Sequence, residues 1–364
     1  MSIFARRSEQ AQKEMLARGI DWLFIPHSTD LRYLMGYAHR QSERLTLFLL
    51  PAAGKPQLIL PAFERPVVQP FADFFDLVGW EEWEDPIEKV RFEVGGVGAG
   101  KTIVCGDDLH GVILLDLQAA LPEATFLPGR ELMPKLRMVK DAQELAALQN
   151  AARITDEALG ALLEEAFIGW TELEIRSFLH RELLQRGCET VGTGIVASGS
   201  NSASPHHRTG NQTAQFGDAL VIDFGGSLVG YRSDMTRTFY IGEASQEFIA
   251  VYEIVREAQI RAVAAVGPGV PAEVIDQVAR GYITVQGYGP FFLHRTGHGI
   301  GLDGHEHPYL VEGNKTSLEP GMTFSIEPGI YLPGKFGVRI EDIVRVTENG
   351  AEALNRFPLE LVTV

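Results

Sequence analysis

Two stretches in the second half of the chain repeat one another, and that repeat constrains the fold more than any other feature. GDALVIDFGG (217–226) matches GMTFSIEPGI (321–330), aligning Gly217 with Gly321, Ile222 with Ile326, Asp223 with Glu327 and Gly225 with Gly329. Downstream, YRSDMTRTF (231–239) matches VRIEDIVRV (338–346), pairing Arg232 with Arg339 and Asp234 with Glu341. The apolar, β-branched runs predict strands. Each copy therefore supplies a carboxylate, a glycine-bounded turn and a second carboxylate. Two such hairpins facing each other would bring four carboxylates together. Unit charges 4 Å apart repel by about 4 kcal/mol even at an effective dielectric of ~20. Cations must hold them, so the repeat predicts a metal site for two ions.

The flanking segments fit a duplicated α+β domain over residues 136–364. Asp141 and Glu144 form a capping box ahead of Leu145, Leu148, Ala152, Leu159, Leu162 and Leu163 at helical spacing. Thr171 with Glu174 opens a second helix that stops at Gly187, and two more are expected over 245–266 and 271–280. Two helices and a hairpin thus occur twice. Residues 1–135 read differently, with a helix over 8–19, strands at DWLFIPH, LTLFLLP, PQLILP and TIVCGDD, and a helix near LLDLQAAL. That alternation predicts a smaller α/β domain.

Charge and cysteine content narrow the partners. With 32 basic against 48 acidic residues the net charge is −16, which argues against nucleic acid and anionic membrane surfaces as partners. Cys105 and Cys188 match no redox or metal spacing, so a reducing cytoplasm is expected. Neither a signal peptide nor a membrane span is expected. GGVGAGKT (95–102) satisfies a phosphate-loop pattern, but it runs into the strand-like TIVCGDD instead of opening a helix. It is read as a glycine-rich turn between strands, and nucleotide hydrolysis is rejected.

The candidate ligands are Asp223, Asp234, His298, Glu327 and Glu341. This hard, oxygen-rich set suits Mn²⁺, Fe²⁺ or Co²⁺, with Zn²⁺ less favoured. Two such ions sharing a water would lower its pKa and polarise a carbonyl. His298 lies in HRTGHGIGLDGHEHP (294–308), which holds four histidines and four glycines. His294 and His305 are candidates for moving protons, while His307 is read as structural. A polar loop, SGSNSASPHHRTGNQ (198–212), presents His206 or His207 behind Pro205.

VIDFGG, SDMTRTF, GHGIGLDGHEHP, SIEPGIY and GVRIEDI, in that order, resemble the pita-bread metallopeptidases, which include Xaa-Pro dipeptidase (prolidase) and aminopeptidase P. TDLRYLMGY (29–37) resembles the creatinase-like domain that precedes the catalytic domain in these enzymes. The resemblance implies a pita-bread catalytic domain and two divalent ions, Mn²⁺ first, then Co²⁺ or Zn²⁺. Asp223 would bind one ion, Asp234 and Glu341 would bridge both, and His298 with Glu327 would bind the second. His206 would stabilise the tetrahedral intermediate, His294 and His305 would bind substrate and handle protons, and Arg339 would contact substrate or the catalytic network. Short proline-containing peptides are the implied substrates and a homodimer the implied assembly. Arg40 or Arg44 in the loop 36–44 is a candidate for a substrate carboxylate. Between dipeptidase and aminopeptidase, the compact catalytic half favours the dipeptidase.

Overall fold

The structure, a computed structural model, describes residues 2–364 and divides into two units, Met1–Arg137 and Met138–Val364. In the first, six strands form a mixed sheet in the order Asp76–Trp80, Gln57–Pro61, Leu47–Pro51, Trp22–Pro26, Thr102–Cys105, Thr125–Pro128. Leu47–Pro51 runs antiparallel to both its neighbours, and the outer pairs are parallel. The central strands are buried almost continuously, because Phe24, Leu49, Ile59 and Ile103 are covered by helix residues such as Val90 and Leu117. The first helix is Ile3–Ala17, starting five residues earlier than expected, because Ser2 caps it by accepting from the Ala5 amide. Ser8 points inward and donates to the Leu34 carbonyl. Residues 95–101 form a turn, but it joins a helix to a strand where a turn between strands was expected. Gly95 ends the helix Pro86–Val94 with φ 90°, and Lys101 leads into the strand Thr102–Cys105.

In the second unit the duplication is visible in the backbone. Helices Ala142–Leu163 and Glu172–Gln185 precede the first hairpin, and Gln246–Ala265 with Ala272–Val285 precede the second. The last of these runs five residues beyond its expected end. Both expected capping boxes are formed. The second helix of each pair is tied down alike: Glu172 N–H donates to Gln212 and Ala272 N–H to Thr316, each at 2.9 Å. Each repeat has its own apolar core, one around Leu159, Leu179 and Ile222, the other around Val255, Ile275 and Ile326.

Ala219–Phe224 pairs with Met235–Tyr240, and Thr323–Ile326 pairs with Asp342–Thr347, both antiparallel. The connection inside each pair is a second short hairpin where a simple turn was expected: Gly226–Leu228 with Tyr231–Arg232, and Gly329–Leu332 with Phe336–Arg339. An antiparallel bridge between Thr236 and Glu341 joins the copies. Arg237 locks that joint from behind. Its buried guanidinium donates to the Glu341 carbonyl and to the Asp342 carboxylate, both at 2.6 Å.

Candidate metal centre

The paired strands end at one place, and their carboxylates end with them. Asp223 is the penultimate residue of Ala219–Phe224, and Asp234 immediately precedes Met235–Tyr240. Glu327 follows Thr323–Ile326, and Glu341 precedes Asp342–Thr347. His298 is the middle residue of Gly297–Gly299. Glycine permits the closeness at two points. A Cβ on Gly225 would lie 1.9 Å from the Ser233 carbonyl oxygen, and one on Gly297 would lie 1.9 Å from that of Ser325.

All five candidate ligands line one cavity of about 650 Å³, together with His206, His294, His305 and Arg339. One ligand atom each from Asp234, His298 and Glu341 lies within 4.8 Å of the others. Glu327 Oε1 is 3.2 Å and Asp234 Oδ2 4.0 Å from His298 Nε2. Asp223 stands apart, since its Oδ2 accepts from Arg339 Nη2 at 2.7 Å. Among the described residues, the Asp234 carboxylate accepts no hydrogen bond, and the Glu341 carboxylate accepts one, from Thr236 Oγ1 at 2.6 Å.

The electrostatics follow from that shortage of donors. Burial, then the Asp223 charge, pushes the Asp234 carboxyl well above the usual carboxylate range; Glu327 adds to the rise and His298 opposes it. Burial and the charges of Asp234, Glu327 and Asp223 raise Glu341 in the same way. Burial alone would raise Glu327, but the hydrogen bond and charge of His298, helped by His294 and Arg339, hold it at about 2. Burial disfavours charge on His298, yet the Glu327 contact outweighs it and its pKa rises. With Arg339 assigned to Asp223, three carboxylates face one imidazole. Even a charged His298 leaves the cluster short of positive charge, so the donor set fits divalent cations. His298 Nδ1 lies 3.2 Å from the Gly299 carbonyl, an acceptor only, and so carries a proton. That leaves Nε2 directed at the carboxylates, the orientation of a metal-ligating histidine.

Arg339, on the cavity wall, is buried and held by four protein acceptors. It donates to Asp223, to Thr236 Oγ1 at 3.1 Å, to Tyr331 Oη at 2.8 Å and to the Pro205 carbonyl at 3.4 Å. Tyr331 in turn donates to His294 Nε2 at 2.8 Å, and His294 Nδ1 donates to the Arg295 carbonyl at 2.8 Å. These bonds describe a neutral His294, in line with the lowering of its pKa by burial. The His305 ring packs against that of His298 at a tilt of 44°, with centroids 3.9 Å apart, and burial, then the His298 charge, draws its pKa down to about 4. His307 packs its ring at a tilt against Tyr309 and is not among the lining residues. In the first unit, Arg44 is paired with Glu43 at 2.6 Å and Glu82 at 2.7 Å. Tyr331, Thr236 and Glu172 went unnoticed in the sequence. Tyr331 closes the motif SIEPGIY, but its partners lie 8 and 37 residues away and no spacing rule reaches them.

These strands, helices and acidic residues describe a two-domain metallopeptidase. Residues 146–348 match the model for metallopeptidase family M24, and residues 7–139 match the creatinase/prolidase N-terminal domain. The chain belongs to metallopeptidase family M24, with a pita-bread domain behind a creatinase-like one. It is 38% identical over 366 residues to the probable dipeptidase PepE of Mycobacterium tuberculosis, covering 100% of this chain and 97% of that protein. It is 33% identical over 366 residues to an Xaa-Pro dipeptidase of Lactobacillus delbrueckii subsp. lactis, covering 97% of both. The recombinant prolidase of Thermococcus sibiricus superposes with a TM-score of 0.94 at 35% identity over 100% of both chains. Among the described residues, no helix is long and apolar enough to cross a membrane.

Proposed function

We propose that this chain is a metal-dependent Xaa-Pro dipeptidase that hydrolyses the bond before proline in dipeptides. The observation carrying this reading is the Asp234–His298–Glu341 cluster, with an unbonded Asp234 carboxylate, inside a cavity of about 650 Å³. That volume suits a small ligand, and relatives similar over the whole chain carry the names Xaa-Pro dipeptidase and prolidase.

Asp223, Asp234, His298, Glu327 and Glu341 would hold two divalent ions, Mn²⁺ in preference to Co²⁺ or Zn²⁺. Bound there, the ions supply an activated water and polarise the scissile carbonyl. His206, on the cavity wall, faces the oxygen that gains charge as the carbonyl is attacked. His294, His305 or Glu327, all on the cavity wall, would move a proton toward the leaving prolyl nitrogen. His305, neutral at pH 7, orients substrate through a ring N–H or a lone pair. Arg339 acts by fixing Asp223 and Tyr331, and Tyr331 fixes His294. The same reading takes residues 1–135 and 136–364 as the N-terminal and catalytic domains of a cytoplasmic homodimer.

The test is a peptide panel on protein reconstituted with Mn²⁺, Co²⁺ or Zn²⁺. Xaa-Pro dipeptides are expected to be cleaved and Xaa-Pro-Yaa-Zaa peptides spared. Cleavage of the longer peptides alone would replace the dipeptidase by an aminopeptidase.

A further inference from the structure

The loop that carries His206 has little regular structure of its own. It leaves the strand Ile195–Ser198, makes one 3₁₀ turn over Gly199–Ala203, and passes Pro205 and His206 at the cavity before reaching Gly210. Beneath it lies Glu172, the first residue of the helix Glu172–Gln185, with a fully buried side chain. Oε1 accepts from the Ser198 amide and Asn201 Nδ2, both at 2.9 Å, with Ser198 Oγ at 3.4 Å. Oε2 accepts from His207 Nε2 at 2.8 Å and from the Gly210 amide at 2.9 Å. One carboxylate therefore grips both ends of the loop and the residue next to His206.

The repeat itself does not require this acid. Ala272 occupies the corresponding place in the second copy, and its helix is tied by the same kind of backbone bridge. There the histidine-bearing segment is held otherwise, with Asp276 accepting from Thr296 and Arg280 donating to the His294 carbonyl. Glu172 thus serves the His206 loop and not the general architecture.

We infer that Glu172 is a positioning residue that fixes the 198–210 loop so that His206 faces the cavity; this rests on the role proposed for His206. Glu172→Gln is nearly isosteric and still disruptive. Each carboxylate oxygen faces a backbone N–H that cannot turn over, so the amide must set an N–H against an N–H on one side. Hydrogen–deuterium exchange and steady-state kinetics on the metal-loaded protein test the inference. In E172Q, amides across 198–212 are expected to exchange at least tenfold faster, with metal content unchanged. On Xaa-Pro dipeptides kcat is expected to fall at least tenfold and KM to move less than threefold. In an H206A background, the same change is expected to alter kcat less than twofold, and Glu172→Asp should restore part of the loss.

Unchanged exchange in the loop would overturn the inference, as would an equal kcat factor in both backgrounds. Exchange is read whether or not the wild type cleaves Xaa-Pro, so failure of the proposed activity is separable from failure of this claim. Should E172Q not fold, Asn201→Ala removes one donor from the same grip and is read in the same two assays, with smaller changes of the same sign expected.

Discussion

Replacing Asp234 by asparagine is expected to change stability in opposite directions with and without metal. In metal-free protein, the Asp234 carboxylate accepts no hydrogen bond among the described residues and lies within 4.8 Å of a ligand atom of Glu341. Two full charges at that separation repel by about 3 kcal/mol at an effective dielectric of ~20. Partial protonation relieves some of this, so D234N should stabilise the metal-free protein by roughly 1–2 kcal/mol. With Mn²⁺ at about 100 times its dissociation constant, the wild type should gain about 2.7 kcal/mol for each ion bound. That corresponds to a rise of roughly 5–10 °C for a domain of this size. D234N should lose most of that gain, because an amide oxygen replaces an anionic ligand. Calorimetric melting in EDTA and in Mn²⁺ measures both signs. A variant destabilised by more than about 1 kcal/mol in EDTA would refute the reasoning, since it would show Asp234 bonded within the protein in a way that a metal centre does not need.

Three further outcomes follow from other parts of the structure. Arg237→Ala strands the buried Asp342 carboxylate and frees the Glu341 carbonyl, so it should cost about 3–5 kcal/mol in chemical denaturation. Val229, itself exposed, sits at φ 52° in a two-residue turn, a conformation that costs a branched side chain about 1–2 kcal/mol. Val229→Asn, giving Asn-Gly there, should raise stability by about 1 kcal/mol with activity unchanged. Burial would raise the Glu172 carboxyl, but its bonds from Asn201, Ser198, His207 and Gly210 bring it below the ordinary range. A lowered folded pKa adds stability above the unfolded value of ~4.3 and loses it as pH falls through the folded value. Melting temperature against pH should therefore drop less steeply below pH ~4.3 in E172Q than in the wild type.

The site was legible where the chain repeats itself. A strand ending in a carboxylate is commonplace, but Asp223 and Glu327 in matching frames, each followed by a second acid, mark paired strand ends that meet. The glycine-rich 95–102 segment is a turn into a strand as its local residues indicate, but the element before it is the helix Pro86–Val94 and not a strand. The first helix was misplaced too. The start expected at residue 8 falls inside the helix, and only the Ser8 bond to the Leu34 carbonyl places that residue on the packed face. Arg339 was recognised as near the chemistry, but its commitment to Asp223, Thr236 and Tyr331 depends on side chains brought together by tertiary structure. Glu172 was invisible on the same ground. It lies between two residues of a capping box and reads as a helix-start acid, while its partners are 26 to 38 residues away.

The most direct measurement is metal stoichiometry. Elemental analysis of protein reconstituted with Mn²⁺ and freed of excess should give two ions per chain in the wild type and one or none in D234N. A wild type that retains no divalent ion after exposure to Mn²⁺, Co²⁺ and Zn²⁺ would contradict the account, because its crowded carboxylates would then persist without the counterions held to explain them.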